Sequence, residues 1–94
     1  MNKIYIAGGI TGVNDYRKIF KIAETRLKRK GYICMNPSVL PEGFEQDDYM
    51  DICTEMLLVC DTIYMLKGWK TSLGAVMELN CAVRNNIEVI YEYN

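Results

Sequence analysis

Four short runs of β-forming, mostly apolar residues punctuate this chain: Lys3-Ile4-Tyr5-Ile6-Ala7, Tyr32 to Met35, Thr62-Ile63-Tyr64-Met65-Leu66 and Ile87 to Tyr91. None alternates polar with apolar residues. A strand with one wet face must alternate, so these runs read as strands covered on both sides, the signature of a parallel sheet. The segments between them carry helical spacing. Asn14 or Asp15 can cap a first helix in which Tyr16, Ile19, Phe20, Ala23 and Leu27 recur on one face, and Gly31 ends it as a C-cap glycine. A second helix fits Gln46 to Cys60, with Met50, Cys53, Leu57 and Cys60 on one face. Ser72 can cap a third that runs to Asn85, where Asn85-Asn86 breaks it. Asn36-Pro37 stops the second strand, and Ser38 to Gln46, with Pro41 and Gly43, reads as a loop, as does Lys67 to Thr71.

The resulting order, β-α-β-α-β-α-β, predicts a three-layer α/β/α domain with right-handed crossovers. Its sheet is Rossmann/flavodoxin-like: four parallel strands in the order 2-1-3-4. The chain of 94 residues is expected to form one domain over 1–94. An apolar fraction of 50% supports a modest core, and at this length a second copy is expected to complete the core or the site, giving a homo-oligomer. No apolar run approaches the roughly 20 residues of a membrane span. Met1-Asn2-Lys3 leads directly into a strand with no signal-peptide layout, so a cytoplasmic protein is expected. Cys34, Cys53, Cys60 and Cys81 contain no C-x-x-C pair and histidine is absent, which argues against zinc; no metal or cofactor is expected.

Charge is unevenly spread. The first helix is basic (Arg17, Lys18, Lys21, Arg26, Lys28, Arg29, Lys30), and residues 42–61 are acidic without a single Lys or Arg. Without interleaved aromatic residues or a known motif, the basic helix reads as a solvated face and not as a nucleic-acid interface.

In a 2-1-3-4 sheet the topological switch lies between strands 1 and 3, and ligands bind at the C-terminal strand ends beside it. The loops there are Gly8–Asn14 and Lys67–Ser72. Gly8-Gly9-Ile10-Thr11-Gly12 lets the backbone approach a ligand and offer N–H groups to an anion, although it matches neither the dinucleotide fingerprint nor a P-loop. Ser72 is either an N-cap alone or a contact to a phosphate or hydroxyl at a helix N-terminus. Between these loops falls Glu78. Its helical neighbours Gly74, Ala75, Cys81 and Ala82 are all small and none can pair with a carboxylate. It is either an exposed helix glutamate or a carboxylate with space for a ligand above it. The Tyr5 hydroxyl lies beside Glu78 or in the core, depending on which layer it faces. Trp69 either lids a ring-shaped ligand or packs over its loop.

These residues resemble the nucleoside 2-deoxyribosyltransferase superfamily along nearly the whole chain. The matching segments are Ile4-Tyr5-Ile6-Ala7-Gly8, Gly31-Tyr32 leading to Asn36-Pro37, Cys60-Asp61-Thr62-Ile63, Leu66-Lys67-Gly68-Trp69, and Ser72-Leu73-Gly74-Ala75 ending in Glu78. The resemblance implies that Glu78 is the nucleophile that attacks the anomeric carbon of a deoxyribosyl group. It implies that Tyr5 hydrogen-bonds that nucleophile. It also implies that Ser72 and Gly74, with backbone groups of Gly8, Gly9, Ile10 and Gly12, grip a 5′-phosphate as in the related deoxynucleoside monophosphate N-hydrolases. One departure stands out. Active members carry an aspartate in the second helix as general acid, and counting back from Asp61 the equivalent position is Cys53. Asp51 lies about 200° away around the helix and should not replace it. Two functions are therefore expected: an N-glycosidic enzyme acting on a nucleoside or its 5′-monophosphate, and a non-catalytic nucleotide-binding protein using the same pocket.

Overall fold

Strand β1 (Lys3–Ala7) is followed by helix α1 (Tyr16–Arg29), strand β2 (Ile33–Met35), helix α2 (Gln46–Leu58), strand β3 (Thr62–Met65), helix α3 (Leu73–Arg84) and strand β4 (Glu88–Tyr91). The computed structural model describes residues 2–93, so the outermost expected domain limits, 1 and 94, lie outside the described residues. The strands form one parallel sheet in the order β2-β1-β3-β4, as the sequence predicts. Register pairs Tyr5 with Met35 on one side and with Ile63 on the other, which sets β1 at the centre.

The pleat sends alternate residues of β1 to opposite layers. Ile4 and Ile6 pack with Phe20, Ala23 and Leu27 of α1. Tyr5 and Ala7 pack with Leu57 of α2 and Ala75 and Ala82 of α3, together with Ile63 and Met65 of β3. Helix α1 thus covers one face and the α2–α3 pair the other. Ile4, Tyr5, Ile6, Ala7, Leu57 and Ile63 are fully buried. At roughly 1.5–3 kcal/mol for each large side chain removed from water, these contacts dominate the folding energy.

Local chemistry sets the boundaries. Gly31, at φ +95°, follows α1 in the left-handed region, and Asn86, at φ 57°, does the same after α3. Asp15 holds the N-cap position of α1, but in a left-handed conformation with no side-chain capping bond. Helix α2 begins where the Asp48 carboxylate accepts the Glu45 N–H at 3.0 Å. It ends at Leu58, short of the expected Cys60, because the Cys60 N–H closes a tighter turn onto the Leu57 carbonyl at 2.9 Å. Two stretches read as loops each contain a 3₁₀ turn, Pro37–Val39 and Trp69–Thr71. The first is pinned by Asn36, whose Oδ1 accepts the Ser38 N–H at 2.9 Å and whose Nδ2 donates to Glu24 of α1 at 2.9 Å. Arg17 reinforces it, donating to the carbonyls of Ser38 and Leu40 at 3.0 and 3.1 Å. This segment, fixed against α1, becomes one wall of the site. No helix among the described residues is long and apolar enough to cross a membrane.

Candidate active site

A cavity of about 900 Å³ opens at the C-terminal ends of β1 and β3. Its floor is Tyr5 and Glu78. One side is the Gly8–Asn14 loop, the second is Thr71–Ala75, and the third is Pro37–Glu42 with Gln46, Tyr49, Met50 and Cys53 from the start of α2. Position in the sheet explains the first two walls. A Cβ at Gly8 would lie 2.8 Å from Leu66 Cδ1 and force that side chain to shift, and Gly12 holds a left-handed φ of +74°. Gly9 passes close enough to the start of α3 that a Cβ on it would lie 3.8 Å from Ser72 Cβ.

Glu78 is not an exposed helix glutamate. It is 9% exposed, and the Tyr5 hydroxyl donates to its Oε2 at 2.6 Å. The small neighbours Gly74 and Ala75 line the same cavity, so their size leaves the carboxylate open to it. Burial pushes the Glu78 carboxyl up to about 7, and the Tyr5 hydrogen bond opposes that rise. Tyr5 in turn is driven well above its usual phenol value, first by burial and then by the Glu78 charge and Cys53. Burial raises the Cys53 thiol as well, with the Glu78 charge adding to it and Tyr5 working against it. Among the described residues no ion pair reaches Glu78, so burial and the Tyr5 hydrogen bond set its proton affinity.

The start of α3 forms another part of the cavity lining. Ser72 caps α3, its Oγ accepting the Ala75 N–H at 3.2 Å. Among the described residues, the N–H groups of Leu73 and Gly74, and those of Gly9, Ile10 and Gly12, have no protein acceptor. They belong to residues that line the cavity, where the positive end of the α3 dipole also lies. Among the described residues the cavity lining contains no Lys or Arg. Among the described residues no group of three His, Cys, Asp or Glu side chains is arranged to hold a metal ion.

The structure brings together Tyr5, Gly8, Gly9, Ile10, Gly12, Ser72, Gly74 and Glu78 around one cavity, with Cys53 beside them. Trp69 stands apart. It does not line the cavity; its ring packs on Tyr91 of β4 with centroids 5.8 Å apart, leaving the lid role without support. Asp51 is exposed and lies with Phe44, Asp48 and Ile52 at a separate shallow depression. The wall of Tyr16, Leu40, Glu42, Gln46 and Tyr49 was not foreseen. The signal for it was the sheet order itself, because the loop that leaves β2 emerges on the same edge as the other two.

A parallel α/β sheet with a buried carboxylate and phenol at its switch point, facing an N–H-lined helix start, defines a small-molecule site of the doubly wound class. The chain belongs to a family described as a domain of unknown function, DUF4406, whose model matches residues 2–91. Among solved structures, a 2-desoxiribosyltransferase from Leishmania mexicana shares the fold, with a TM-score of 0.76 at 17% identity. The match covers 97% of this chain and 63% of that one, so this chain spans less than two thirds of that protein's length. No curated protein matches the sequence.

Proposed function

We propose that the protein cleaves or transfers the N-glycosidic bond of a nucleoside or its 5′-monophosphate, with Glu78 as nucleophile. The observation that carries this reading is the 2.6 Å hydrogen bond from Tyr5 to a buried carboxylate on the floor of an open cavity. Breaking such a bond builds positive charge on the sugar, and a carboxylate held without a cationic partner is placed to stabilise or trap it. Tyr5 leaves Oε1 free to reach the anomeric carbon and keeps the carboxyl from being protonated more strongly. Ser72, Gly74 and the N–H groups of Gly9, Ile10 and Gly12 hold the 5′ end. The shared fold with a deoxyribosyltransferase is consistent with this assignment. A buried unpaired carboxylate costs stability, which a reaction repays and simple binding does not.

Cys53 favours a second reading, a nucleotide binder without turnover, because a buried thiol is a poor general acid. Chromatographic detection of free base separates the two. Wild type should release base from at least one nucleoside or nucleotide, and Glu78→Ala should abolish release while the circular dichroism spectrum is retained. Calorimetric binding of a nucleotide with no base released by wild type would establish the binder instead.

A further inference from the structure

We propose that the substrate carries its leaving base as a cation: a pyridinium or N-alkylated purine nucleoside 5′-monophosphate. This rests on the N-glycosidic reading above and names the substrate class for it. An ordinary purine or pyrimidine is a poor leaving group unless an acid protonates it as the bond breaks. The cavity lacks a free acid to do so. Each of its three phenols already donates its proton: Tyr5 to Glu78 at 2.6 Å, Tyr16 to Glu42 at 3.1 Å and Tyr49 to the Pro41 carbonyl at 2.6 Å. Glu78 is occupied at the anomeric carbon. Glu42 sits exposed at the rim as the acceptor for Tyr16. Cys53, where an acid would be useful, offers a buried thiol.

The charge distribution points the same way. The lining presents two carboxylates, Glu42 and Glu78, and among the described residues no Lys or Arg. Arg17 is committed elsewhere: it donates to the Ser38 and Leu40 carbonyls and its guanidinium sits over the Tyr16 ring, 5.4 Å from the centroid. A cationic ring is favoured beside these carboxylates. At the other end, the N–H groups at the start of α3 and in the glycine loop suit one phosphate monoester. A polyphosphate would need cationic side chains that the lining does not provide. The favoured ligand is therefore a zwitterion, with its anion at Ser72 and its cation towards Glu42.

The chemistry balances without an added acid. The C1′–N bond breaks with its electron pair going to the ring nitrogen, which turns the cationic base into a neutral one. A Glu78 oxygen forms the bond to C1′. Water then displaces Glu78 from C1′ and gives its proton to solvent. Cationic glycoside and water thus yield sugar phosphate, neutral base and one proton.

The test is a matched panel on the full chain, with base release followed by chromatography and expressed as rate enhancement over the uncatalysed loss. The pairs are 7-methylguanosine 5′-monophosphate against guanosine 5′-monophosphate, and the same pair as 2′-deoxynucleotides. Nicotinamide mononucleotide supplies the pyridinium arm. The enhancement should be at least about 100-fold larger for a cationic member than for the neutral nucleotides, since a missing general acid costs about that much or more. Which cationic arm responds identifies the source of the cation. Enhancement of the neutral nucleotides equal to or above the cationic ones overturns this inference alone. Release of no base from any compound overturns it together with the N-glycosidic reading.

Discussion

Replacing Glu78 with glutamine should make the protein more stable in mild alkali, by an amount that the structure fixes. Burial lifts the Glu78 carboxyl from 4.5 to about 7. A rise of that size corresponds to about 3 kcal/mol of difference between the folded and unfolded proton affinities. The folded state binds this proton more tightly than the unfolded chain does. The linked stability is therefore fully present below pH 4.5 and is lost as pH rises through about 7. Glutamine is the neutral isostere, and its carbonyl can still accept the Tyr5 hydroxyl, so it keeps the stability at every pH. Allowing about 1 kcal/mol for the weaker neutral hydrogen bond, Glu78→Gln should gain about 2 kcal/mol at pH 8. In a domain of this size that is a rise in Tm of about 10 °C. At pH 5 the two proteins should melt within about 2 °C of each other. Thermal denaturation followed by circular dichroism across pH 5–8.5 measures the difference directly, and other titrating groups cancel between the two proteins. A Glu78→Gln protein that is equally destabilised at both pH values would refute the claim that this carboxylate is held at a cost.

Two other substitutions separate roles within the site. Tyr5→Phe removes the hydrogen bond that holds the Glu78 carboxyl down. The acid limb of the pH–rate profile should move above its wild-type position near 7, with kcat lowered about 10- to 100-fold, the loss of a charge-assisted hydrogen bond. An unmoved acid limb would show that Tyr5 does not set the Glu78 proton affinity. Trp69→Ala should lower Tm through the lost packing on Tyr91 and leave ligand Kd within about twofold by calorimetry. A tenfold weaker Kd would restore the ring to the ligand.

The fold was legible because burial on two faces and burial on one face leave different residue patterns. The run Ile4-Tyr5-Ile6-Ala7 has no polar position for a solvent side, and the structure buries all four of these residues. Helix ends were legible where glycine or asparagine takes a left-handed φ, as at Gly31 and Asn86. Glu78 was legible through what its neighbours lack. The direction of Tyr5 was not, because alternation assigns faces only once the side covered by each helix is known. Trp69 stayed open between two readings for a related reason. Its place in a loop next to the site gives no information on where the ring turns, and Tyr91 of the adjacent strand offers it an apolar surface. The wall from Pro37 to Tyr49 depends on side-chain ties from Asn36, Arg17 and Tyr49 that have no periodic signature.

Tyr5 and Glu78 stand 73 residues apart in a chain of 94. One belongs to β1 and the other to α3. Their contact closes only when β1 lies between its two neighbouring strands with α3 seated above. The proposed base release would thus report on completed folding. A chain cut between β1 and α3 leaves a tyrosine without its carboxylate on one piece and a carboxylate without its tyrosine on the other.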